Sequence, residues 1–596
     1  MDPTKPGQDK LPLYPPQAVG RYREAGLWGQ LTLAEQFHAV AAVHGHRTAV
    51  VTTEGALSFS QLDQRTDQLA AGLHAAGLRP GDPVLFQLTN RLHTIVAWYG
   101  TLKAGLIPVA TLALHRRHEI SQIAARTGAV AHLVEVNPDD KFDLVAMADA
   151  HRQDSPAMRH VLTAGTPDAR PGCLRLEALG ADADPAGARR CVQEIQDQLD
   201  PDGIAVFQLS GGTTGVPKVI PRRHAEYWYN AVAYAQRFGW DATSRVGHLI
   251  PIIHNAGIVC GLHAPHSVGA CLILGSPDAG QSVPLLAEQK ATDLIIGHGH
   301  FQAVADRGMA ALAPSLRRAI LSGTKIPPRL FEHIEKLGVW PGQLFGMAEG
   351  FFAVSEPGAA RRARLTTVGT QLSPLDEFAI LAPGTQDIVP DGVTGELCCR
   401  GPYTIPGYYD AAQHNATAFT SDGFYRTGDL ASVRIIDGQR CISIDGRIKD
   451  LINRGGEKIN AEEVELLLLD HPGIEQAAVV AMPDPRLGER ACAFLVAAGP
   501  ELALRDVQRH LDGLEVAKYK WPEHLEWVSE LPRSKVNKVD KKALRELAAA
   551  IARTSGPARP AGSPWTNPAA PHGPVSSNTC QLPDAVYQRP AGSQGG

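Results

Sequence analysis

The segment IAVFQLSGGTTGVPK, residues 204–218, joins a short apolar run directly to a loop of glycines, hydroxyl side chains and one lysine. The apolar run Ile204–Leu209 predicts a buried strand. In the loop, glycines let backbone N–H groups approach phosphate oxygens, hydroxyls donate further hydrogen bonds, and Lys218 adds a positive charge. The candidate phosphate-binding residues are Ser210, Gly211, Gly212, Thr213, Thr214 and Gly215. The segment therefore predicts a strand and loop that bind a polyphosphate.

A flexible surface loop is the competing interpretation, because clusters of Gly and Thr usually form turns. The Walker A pattern GxxxxGK[ST] is absent, since the chain contains no Gly-Lys dipeptide. Any phosphate loop here is therefore of another type, and its assignment depends on the rest of the chain.

Outward from this segment, from about Leu31 to Ile444, short apolar runs alternate with helix-like stretches. That alternation is typical of parallel sheets covered by helices. The pattern restarts at Leu451 and ends in a segment rich in Pro, Gly, Ala and Ser. We predict an α/β protein: a large N-terminal domain of helix-covered sheets and a small, mobile α+β C-terminal domain joined by a hinge. The predicted organisation is an N-terminal extension 1–30, a large domain 31–446, a hinge 447–450, a small domain 451–552 and a disordered tail 553–596.

Composition excludes several classes of protein. The 596 residues are 44% hydrophobic and 20% charged with a net charge of -5, so no polybasic surface suggests nucleic acid as a partner. Nine cysteines without a CxxC pair argue against a disulfide framework and favour a reducing, cytoplasmic compartment. No apolar run approaches the roughly 18 residues of a membrane span, and the N-terminus lacks signal-peptide features. We therefore expect no membrane association.

Four further motifs follow the loop in a fixed order: FGMAE at 345–349, YRTGD at 425–429, DGRIKD at 445–450 and PRSKVNK at 532–538. With the loop, they resemble the adenylate-forming superfamily of acyl-CoA synthetases, luciferases and peptide-synthetase adenylation domains. The resemblance extends from about Leu57 to Lys542. It is closest to the stand-alone aryl-acid AMP ligases that start siderophore and related peptide assembly lines.

The resemblance implies ATP and Mg²⁺ as cofactors and a role for each motif. Lys218 would bind phosphates, Glu349 would hold Mg²⁺, and Asp429 would accept hydrogen bonds from the ribose hydroxyls. The remaining implied residues are Gly346 and Met347 at the nucleotide, Arg447 at the phosphate or ribose, Lys449 at the hinge and Lys538 as the adenylation lysine. Asn537 stands where the family usually has Gly, and Asn tolerates left-handed backbone angles better than most residues. For Glu349, interaction with a helix dipole is the alternative interpretation.

The resemblance also implies a substrate pocket formed by His254, Asn255, Cys260, Gly323 and Phe352. Amino-acid-activating relatives carry Asp where this chain has Asn255, and a neutral amide suits a carboxylate or an ortho hydroxyl better than an ammonium. Cys260 matches salicylate enzymes and, with Phe352, disfavours a 3-hydroxyl. Ala256 and Gly257 replace an aromatic residue and a proline, which leaves room for a bicyclic acid. The alternative for Asn255 is a cap of the helix that starts near Gly257.

These parts predict an aryl-acid AMP ligase that forms aryl-AMP and transfers the acyl group to the phosphopantetheine thiol of a separate carrier protein. The expected substrate is a salicylate-like or related ortho-substituted (hetero)aromatic acid. An aryl-CoA ligase is the near alternative, and a non-catalytic nucleotide-binding scaffold is the remote one.

Overall fold

The computed structural model describes residues 10–136, 142–165, 170–210, 217–276, 278–297, 300–301, 308–323, 326–455, 457–514, 516–534 and 538–554. Its strands are β1 (Thr48–Thr52), β2 (Gly55–Ser58), β3 (Pro83–Gln87), β4 (Ile107–Val109), β5 (Ala131–Glu135), β6 (His160–Ala164), β7 (Leu174–Arg175), β8 (Ile204–Leu209), β9 (Val219–Arg223), β10 (Arg245–His248), β11 (Cys271–Leu274), β12 (Asp293–Gly297), β13 (Arg318–Ser322), β14 (Trp340–Gly346), β15 (Phe352–Val354), β16 (Thr370–Gln371), β17 (Glu377–Leu381), β18 (Gly395–Arg400), β19 (Tyr425–Ile436), β20 (Gln439–Arg447), β21 (Leu451–Arg454), β22 (Glu457–Asn460), β23 (Ile474–Asp484), β24 (Gly488–Ala497) and β25 (His524–Trp527).

The α-helices among these residues are α1 (Pro16–Glu24), α2 (Leu33–His44), α3 (Phe59–Ala75), α4 (Leu92–Lys103), α5 (Arg117–Thr127), α6 (Leu144–Asp154), α7 (Pro185–Gln196), α8 (His224–Arg237), α9 (Ala264–Ser267), α10 (Ala279–Glu288), α11 (Met309–Leu312), α12 (Pro328–Lys336), α13 (Arg361–Thr366), α14 (Ala412–Ala418), α15 (Ala461–Leu469), α16 (Leu504–Gly513) and α17 (Lys541–Thr554). Short 3-10 helices occupy Leu176–Ala178, Ile448–Asp450 and Lys518–Lys520. A π-helix, Gly257–His263, runs directly into α9.

Two large sheets form the centre of the described chain. One has nine strands in the order β16-β15-β14-β13-β12-β10-β11-β1-β2, and the other has seven in the order β7-β6-β5-β3-β4-β8-β9. Most of their strands pair in parallel, whereas β2, β9, β15 and β16, at or next to the sheet edges, pair antiparallel with their neighbours. The predicted fold class, helix-covered sheets in an α/β protein, is confirmed, with antiparallel edges that the sequence pattern did not reveal.

The largest apolar cluster joins the two sheets to the helices between them. It contains Phe37 of α2, Leu62 of α3, Trp98 of α4, Tyr227 of α8 and Val246 of β10. The buried runs that the sequence marked as strands supply its sheet side, because inner parallel strands are covered on both faces. The site described below lies where several of these strands end.

Two smaller sheets complete the chain. Strands β17–β20 form an antiparallel sheet. Strands β21–β25 form a mixed sheet in which β25 pairs in parallel with β24, and α15, α16 and α17 belong to the same part of the chain. The second has its own apolar clusters, built around residues such as Val464, Leu495 and Leu544. Asn460 starts α15 by accepting hydrogen bonds from the backbone of Glu462 at 3.1 Å and Glu463 at 3.4 Å.

The predicted domain boundaries stay predictions. The described residues up to Ala552 group into one compact unit, and the predicted hinge lies inside it as the 3-10 helix Ile448–Asp450. Most of the predicted tail lies outside the described residues. No helix in the described part of the chain combines the length and apolar character that crossing a bilayer requires.

Candidate active site

The stem of the predicted phosphate loop is closed by reciprocal hydrogen bonds. The backbone N–H of Ser210, directly after β8, donates to the carbonyl of Lys218 at 3.0 Å. The backbone N–H of Lys218 donates to the Ser210 hydroxyl at 3.0 Å. These bonds hold the two ends of the loop together at the carboxyl end of a sheet strand, where α/β folds commonly bind ligands. The predicted residues Gly211, Gly212, Thr213, Thr214 and Gly215 lie outside the described residues.

Lys218 is half-buried at the end of this stem. Its ammonium nitrogen lies 5.1 Å from the centre of the Tyr408 ring, a cation-π distance. Partial burial lowers its pKa below the usual value, while the negative charge of Glu349 acts in the opposite direction. Lys218 therefore provides a positive charge close to the Glu349 carboxylate, as a site for a metal-bound polyphosphate requires.

Glu349 lies in the turn between β14 and β15, and no helix begins there, so the helix-dipole interpretation does not apply. The Tyr408 hydroxyl donates to Glu349 Oε1 at 2.7 Å and lies 2.8 Å from the Tyr425 hydroxyl. Because Tyr408 has only one proton to donate, Tyr425 is the donor between the two tyrosines. Gly350 has a φ of 127°, and a Cβ there would lie 1.7 Å from the carbonyl oxygen of Tyr403, so this turn requires glycine.

Asp429 and Arg447 are paired across neighbouring strands. They are register partners in β19 and β20, and Arg447 Nε lies 2.8 Å from Asp429 Oδ1. Burial raises the pKa of Asp429, while Arg447 and then Lys538 act to lower it. Asp429 is thus a buried carboxyl group paired with Arg447 through Oδ1, and its other lone pairs remain to accept hydrogen bonds from a ligand.

Lys538 reaches this site from the C-terminal region. Its backbone N–H donates to the Ser534 hydroxyl at 3.3 Å, and its carbonyl accepts from the Ser534 backbone at 2.7 Å. The residue is exposed, yet protein around its ammonium group and then the charge of Arg447 lower its pKa, while Asp429 raises it. Asn537 lies outside the described residues. The predicted adenylation lysine and the predicted ribose carboxylate are thus within electrostatic range of each other.

His254 is a second predicted site residue on which the charge of Lys538 acts. It is exposed, and the protein surrounding its ring and then the charge of Lys538 hold its pKa below the usual value. His254 and Asp429 are therefore both within electrostatic range of Lys538.

The other predicted pocket residues lie in or next to three different elements. Cys260 lies in the π-helix, is fully buried, and has its thiol pKa raised well above the usual value by burial. Phe352 shares the largest apolar cluster with it. A Cβ at Gly346 would lie 2.6 Å from the Phe352 ring, so this glycine makes room for the phenylalanine. Gly323 is exposed at the end of β13.

Asn255 does not cap a helix. The π-helix has Ala256 at its N-terminus without a side-chain cap, and the Asn255 side chain is bonded elsewhere. Its Oδ1 accepts from the Tyr227 hydroxyl at 2.9 Å and from Arg222 Nη1 at 3.1 Å, and its Nδ2 donates to the Met347 carbonyl at 3.3 Å. Asn255 thus connects the pocket to the predicted nucleotide-binding segment.

Comparison with known proteins gives the family. The model of the AMP-binding enzyme family matches residues 37–409, and that of the AMP-binding enzyme C-terminal domain matches residues 463–538. The chain belongs to the AMP-binding enzyme family. It has the adenylate-forming fold, with a large N-terminal and a smaller C-terminal domain, and it is an acyl-adenylate-forming ligase that uses ATP with Mg²⁺.

Relatives match along almost the whole length of this family member. A salicylyl-CoA synthase / salicylate adenylyltransferase from Streptomyces sp is 40% identical over 549 residues, covering 90% of this chain and 97% of the relative. A salicyl-AMP ligase / salicyl-S-ArCP synthetase from Mycobacterium tuberculosis is 35% identical, covering 89% and 93%. The solved apo structure of MbtA from Mycobacterium smegmatis has a TM-score of 0.68 and 33% identity, covering 90% and 99%.

The residues of the AMP-binding enzyme site fit Mg²⁺. Among the described residues, no group of three or more His, Cys, Asp or Glu side chains could hold a metal by itself. Mg²⁺ binds through one or two carboxylates together with substrate phosphates, so the single buried Glu349 beside Lys218 suits it.

Several residues of this site were missed by sequence reasoning. Tyr408 and Tyr425 orient Glu349, and Arg222 and Tyr227 orient Asn255. Arg222 ends up in β9 and Glu226 in the first turn of α8, so their ion pair depends on the strand-to-helix turn and no helical spacing predicts it. Their complete burial was not visible.

Proposed function

We propose that this enzyme adenylates an aromatic carboxylic acid with ATP and then transfers the acyl group to a thiol. The observation that carries the proposal is the pairing of buried Asp429 with Arg447 at 2.8 Å, together with the charge of Lys538, which acts on both Asp429 and His254. The same lysine therefore neighbours the predicted ribose carboxylate and the predicted acid pocket, which suits a residue that acts where nucleotide and acid meet.

In the first half-reaction, a carboxylate oxygen of the acid attacks the α-phosphorus of ATP. A new O–P bond forms, the bond to the β-phosphate bridging oxygen breaks, and pyrophosphate leaves with the electron pair. Lys218 and Lys538 stabilise the charge on the transferring and leaving groups, and no protein nucleophile is needed. Glu349 would hold Mg²⁺, which would supply positive charge to the phosphates when bound. Asp429 and Arg447 hold the nucleotide.

In the second half-reaction, a thiol attacks the acyl carbonyl, the C–S bond forms, the C–O bond to phosphate breaks, and AMP leaves. We propose that the C-terminal region rotates about Lys449 to withdraw Lys538 and admit the thiol. The thiol is the phosphopantetheine of a separate carrier protein, in siderophore or nonribosomal peptide biosynthesis. The carrier named for one relative supports this acceptor.

The acid is salicylate-like or a related ortho-substituted (hetero)aromatic acid. It would be bound by His254, Asn255, Cys260, Gly323 and Phe352. Two relatives named for salicylate support this class. Buried Cys260 is a weak hydrogen-bonding partner and Phe352 takes up volume, so a 3-hydroxyl gains nothing. Ala256 leaves space for a second ring, and Ala256→Tyr should shift preference toward a single ring.

The test is ATP–pyrophosphate exchange over benzoate, salicylate, 2,3-dihydroxybenzoate, quinaldate, an aliphatic acid and an amino acid. We expect exchange with ortho-substituted aromatic acids well above benzoate and no gain from the second hydroxyl of dihydroxybenzoate. Preference for benzoate, an aliphatic acid or an amino acid would refute the pocket assignment and leave the adenylation chemistry standing.

An aryl-CoA ligase is the second candidate, favoured by the CoA in another relative's name. Thioester formation with CoA alone and with an aryl carrier protein separates the two. A non-catalytic scaffold would give no exchange with any acid. We place the enzyme in the cytoplasm, since each of the eight described cysteines is free.

A further inference from the structure

The orientation of the Asn255 amide is decided by the groups around it. Its Oδ1 faces two donors, the Tyr227 hydroxyl at 2.9 Å and Arg222 Nη1 at 3.1 Å. A guanidinium can only donate, so the amide atom that faces Arg222 must be the oxygen. The nitrogen of Asn255 therefore points the other way.

Arg222 is itself fixed. Its Nε and Nη2 lie 3.0 and 2.7 Å from the two carboxylate oxygens of Glu226, and both side chains are fully buried. Arg222 also donates to the carbonyls of Ala348 at 3.0 Å and Tyr403 at 3.3 Å. The guanidinium thus has no freedom to rotate away from Asn255 without losing bonds in three other segments.

The Tyr227 hydroxyl is also held in place by hydrogen bonds to its neighbours. It accepts from Gln208 Nε2 at 3.1 Å, which leaves its one proton for Asn255. Burial raises the pKa of Tyr227, so the hydroxyl remains a donor throughout the working pH range. Both partners of the Asn255 oxygen are therefore permanent donors.

On its other side, the Asn255 amide offers only N–H groups. One of them makes the long 3.3 Å contact to the Met347 carbonyl. An amide nitrogen has two hydrogens, and among the described residues Met347 is the one acceptor of its hydrogen bonds. The second N–H thus has no acceptor among the described residues and is the donor that we assign to a ligand.

We infer that Arg222 and Tyr227 are positioning residues that make Asn255 a donor-only group, so that the accepted acids carry a hydrogen-bond acceptor ortho to the carboxylate. A hydroxyl oxygen or an unprotonated pyridine-type ring nitrogen meets this requirement. A pyrrole-type N–H, which only donates, does not. This inference rests on the proposed function, because it assigns the substrate class of the same pocket.

The first experiment compares acids of matched shape and opposite polarity in pyrophosphate exchange, at a pH above the ring-nitrogen pKa. The bicyclic set is quinaldate, 2-naphthoate and indole-2-carboxylate, and the single-ring set is picolinate, benzoate and pyrrole-2-carboxylate. We expect kcat/KM for the acceptor acid to exceed that for the apolar parent by about 10-fold or more. The donor acid should lie at or below its parent. A donor acid that exceeds its parent would overturn the inference.

The second experiment uses variants and reads the ratio of kcat/KM for the acceptor acid to that for the apolar parent. Tyr227→Phe removes one donor and keeps the ring, so the ratio should fall about 5-fold. Tyr229→Phe is the matched control on the same helix, since it removes a buried hydroxyl bonded to Ser373 at 2.8 Å. Its ratio should stay at the wild-type value. An unchanged ratio in Tyr227→Phe contradicts the positioning role.

Asn255→Asp tests whether the N–H groups of residue 255 determine the preference for the acceptor acid. Arg222 would pair with the new carboxylate, and the side chain would no longer carry an N–H donor. The preference for the acceptor acid should disappear. If it persists, Asn255 is not the group that reads the ortho position. Failure of all aromatic acids to support exchange in the wild-type enzyme would instead refute the proposed function.

Discussion

The acid-pocket side and the C-terminal side of the site are held in opposite ways. Asn255 is buried and bonded to Arg222 and Tyr227, which are buried and bonded in turn. Lys538 is exposed and is anchored through backbone hydrogen bonds to Ser534. The pocket is thus a rigid part of the core, whereas the lysine is presented by a surface segment.

This difference matches the two tasks that we propose for the enzyme. Selecting one acid requires polar groups that are fixed before the substrate arrives, because an adaptable group discriminates poorly. Serving two half-reactions in one site requires a part that leaves after the first. Substitutions around Asn255 should therefore lower the free energy of unfolding, whereas substitution of Lys538 should lower the rate of adenylation.

The largest effect should come from Arg222→Met. It leaves the fully buried Glu226 without its ion-pair partner, and breaking such a pair costs about 3–5 kcal/mol in the free energy of unfolding. Chemical denaturation measures the loss, and Lys538→Met, an exposed substitution, should change the free energy of unfolding by only about 0.5 kcal/mol. The double variant Arg222→Met/Glu226→Gln should recover much of the stability. Equal stability of the two single variants would contradict the comparison.

Lys538→Ala should have the largest effect on catalysis. Losing a preorganised charge at the transferring phosphate lowers pyrophosphate exchange by about 10²-fold or more, while thiol transfer from supplied acyl-adenylate is spared. Lys542→Ala is the control, since Lys542 is exposed and lies 4.0 Å from Glu546 on α17. Equal loss in both half-reactions would mean that Lys538 is not specific to adenylation.

The sequence predicted those parts of the site that local patterns encode. The strand Ile204–Leu209 has the predicted bounds, because a short apolar run before a glycine loop leaves little choice. Asp429 and Arg447 were predicted from motif order as nucleotide-binding residues; the structure makes them cross-strand partners, and their binding role stays a prediction. Family patterns are informative where chemistry requires a given side chain at a given position.

The remainder depends on contacts between distant segments. Arg222 meets Asn255 across 33 positions and Tyr403 across 181, and the charged run PRRH gave no sign that its first arginine is fully buried. The π-helix Gly257–His263 was expected as an ordinary helix start. Neither feature has a local periodicity that reveals it.

Lys449→Pro tests whether the C-terminal region moves. Proline fixes φ within the 3-10 helix Ile448–Asp450, so rotation should be hindered. Pyrophosphate exchange should persist while thioester formation falls, on the order of 10-fold. Wild-type values for both activities would show that Lys449 is not the hinge.

Tyr408→Phe should have the smallest effect of these substitutions, because it removes one hydrogen bond to Glu349, the proposed Mg²⁺ ligand, and leaves the carboxylate itself in place. The variant keeps the ring that lies 5.1 Å from the Lys218 ammonium but loses the 2.7 Å bond to Glu349. Without this hydrogen bond the Glu349 carboxylate is held less precisely for Mg²⁺. We therefore expect pyrophosphate exchange to require an about 5-fold higher Mg²⁺ concentration. Tyr409→Phe is the matched control, since the neighbouring ring packs on Phe207 at 4.8 Å instead. If Mg²⁺ titrations of the two variants coincide, Tyr408 does not position Glu349, and the carboxylate is held by the turn alone.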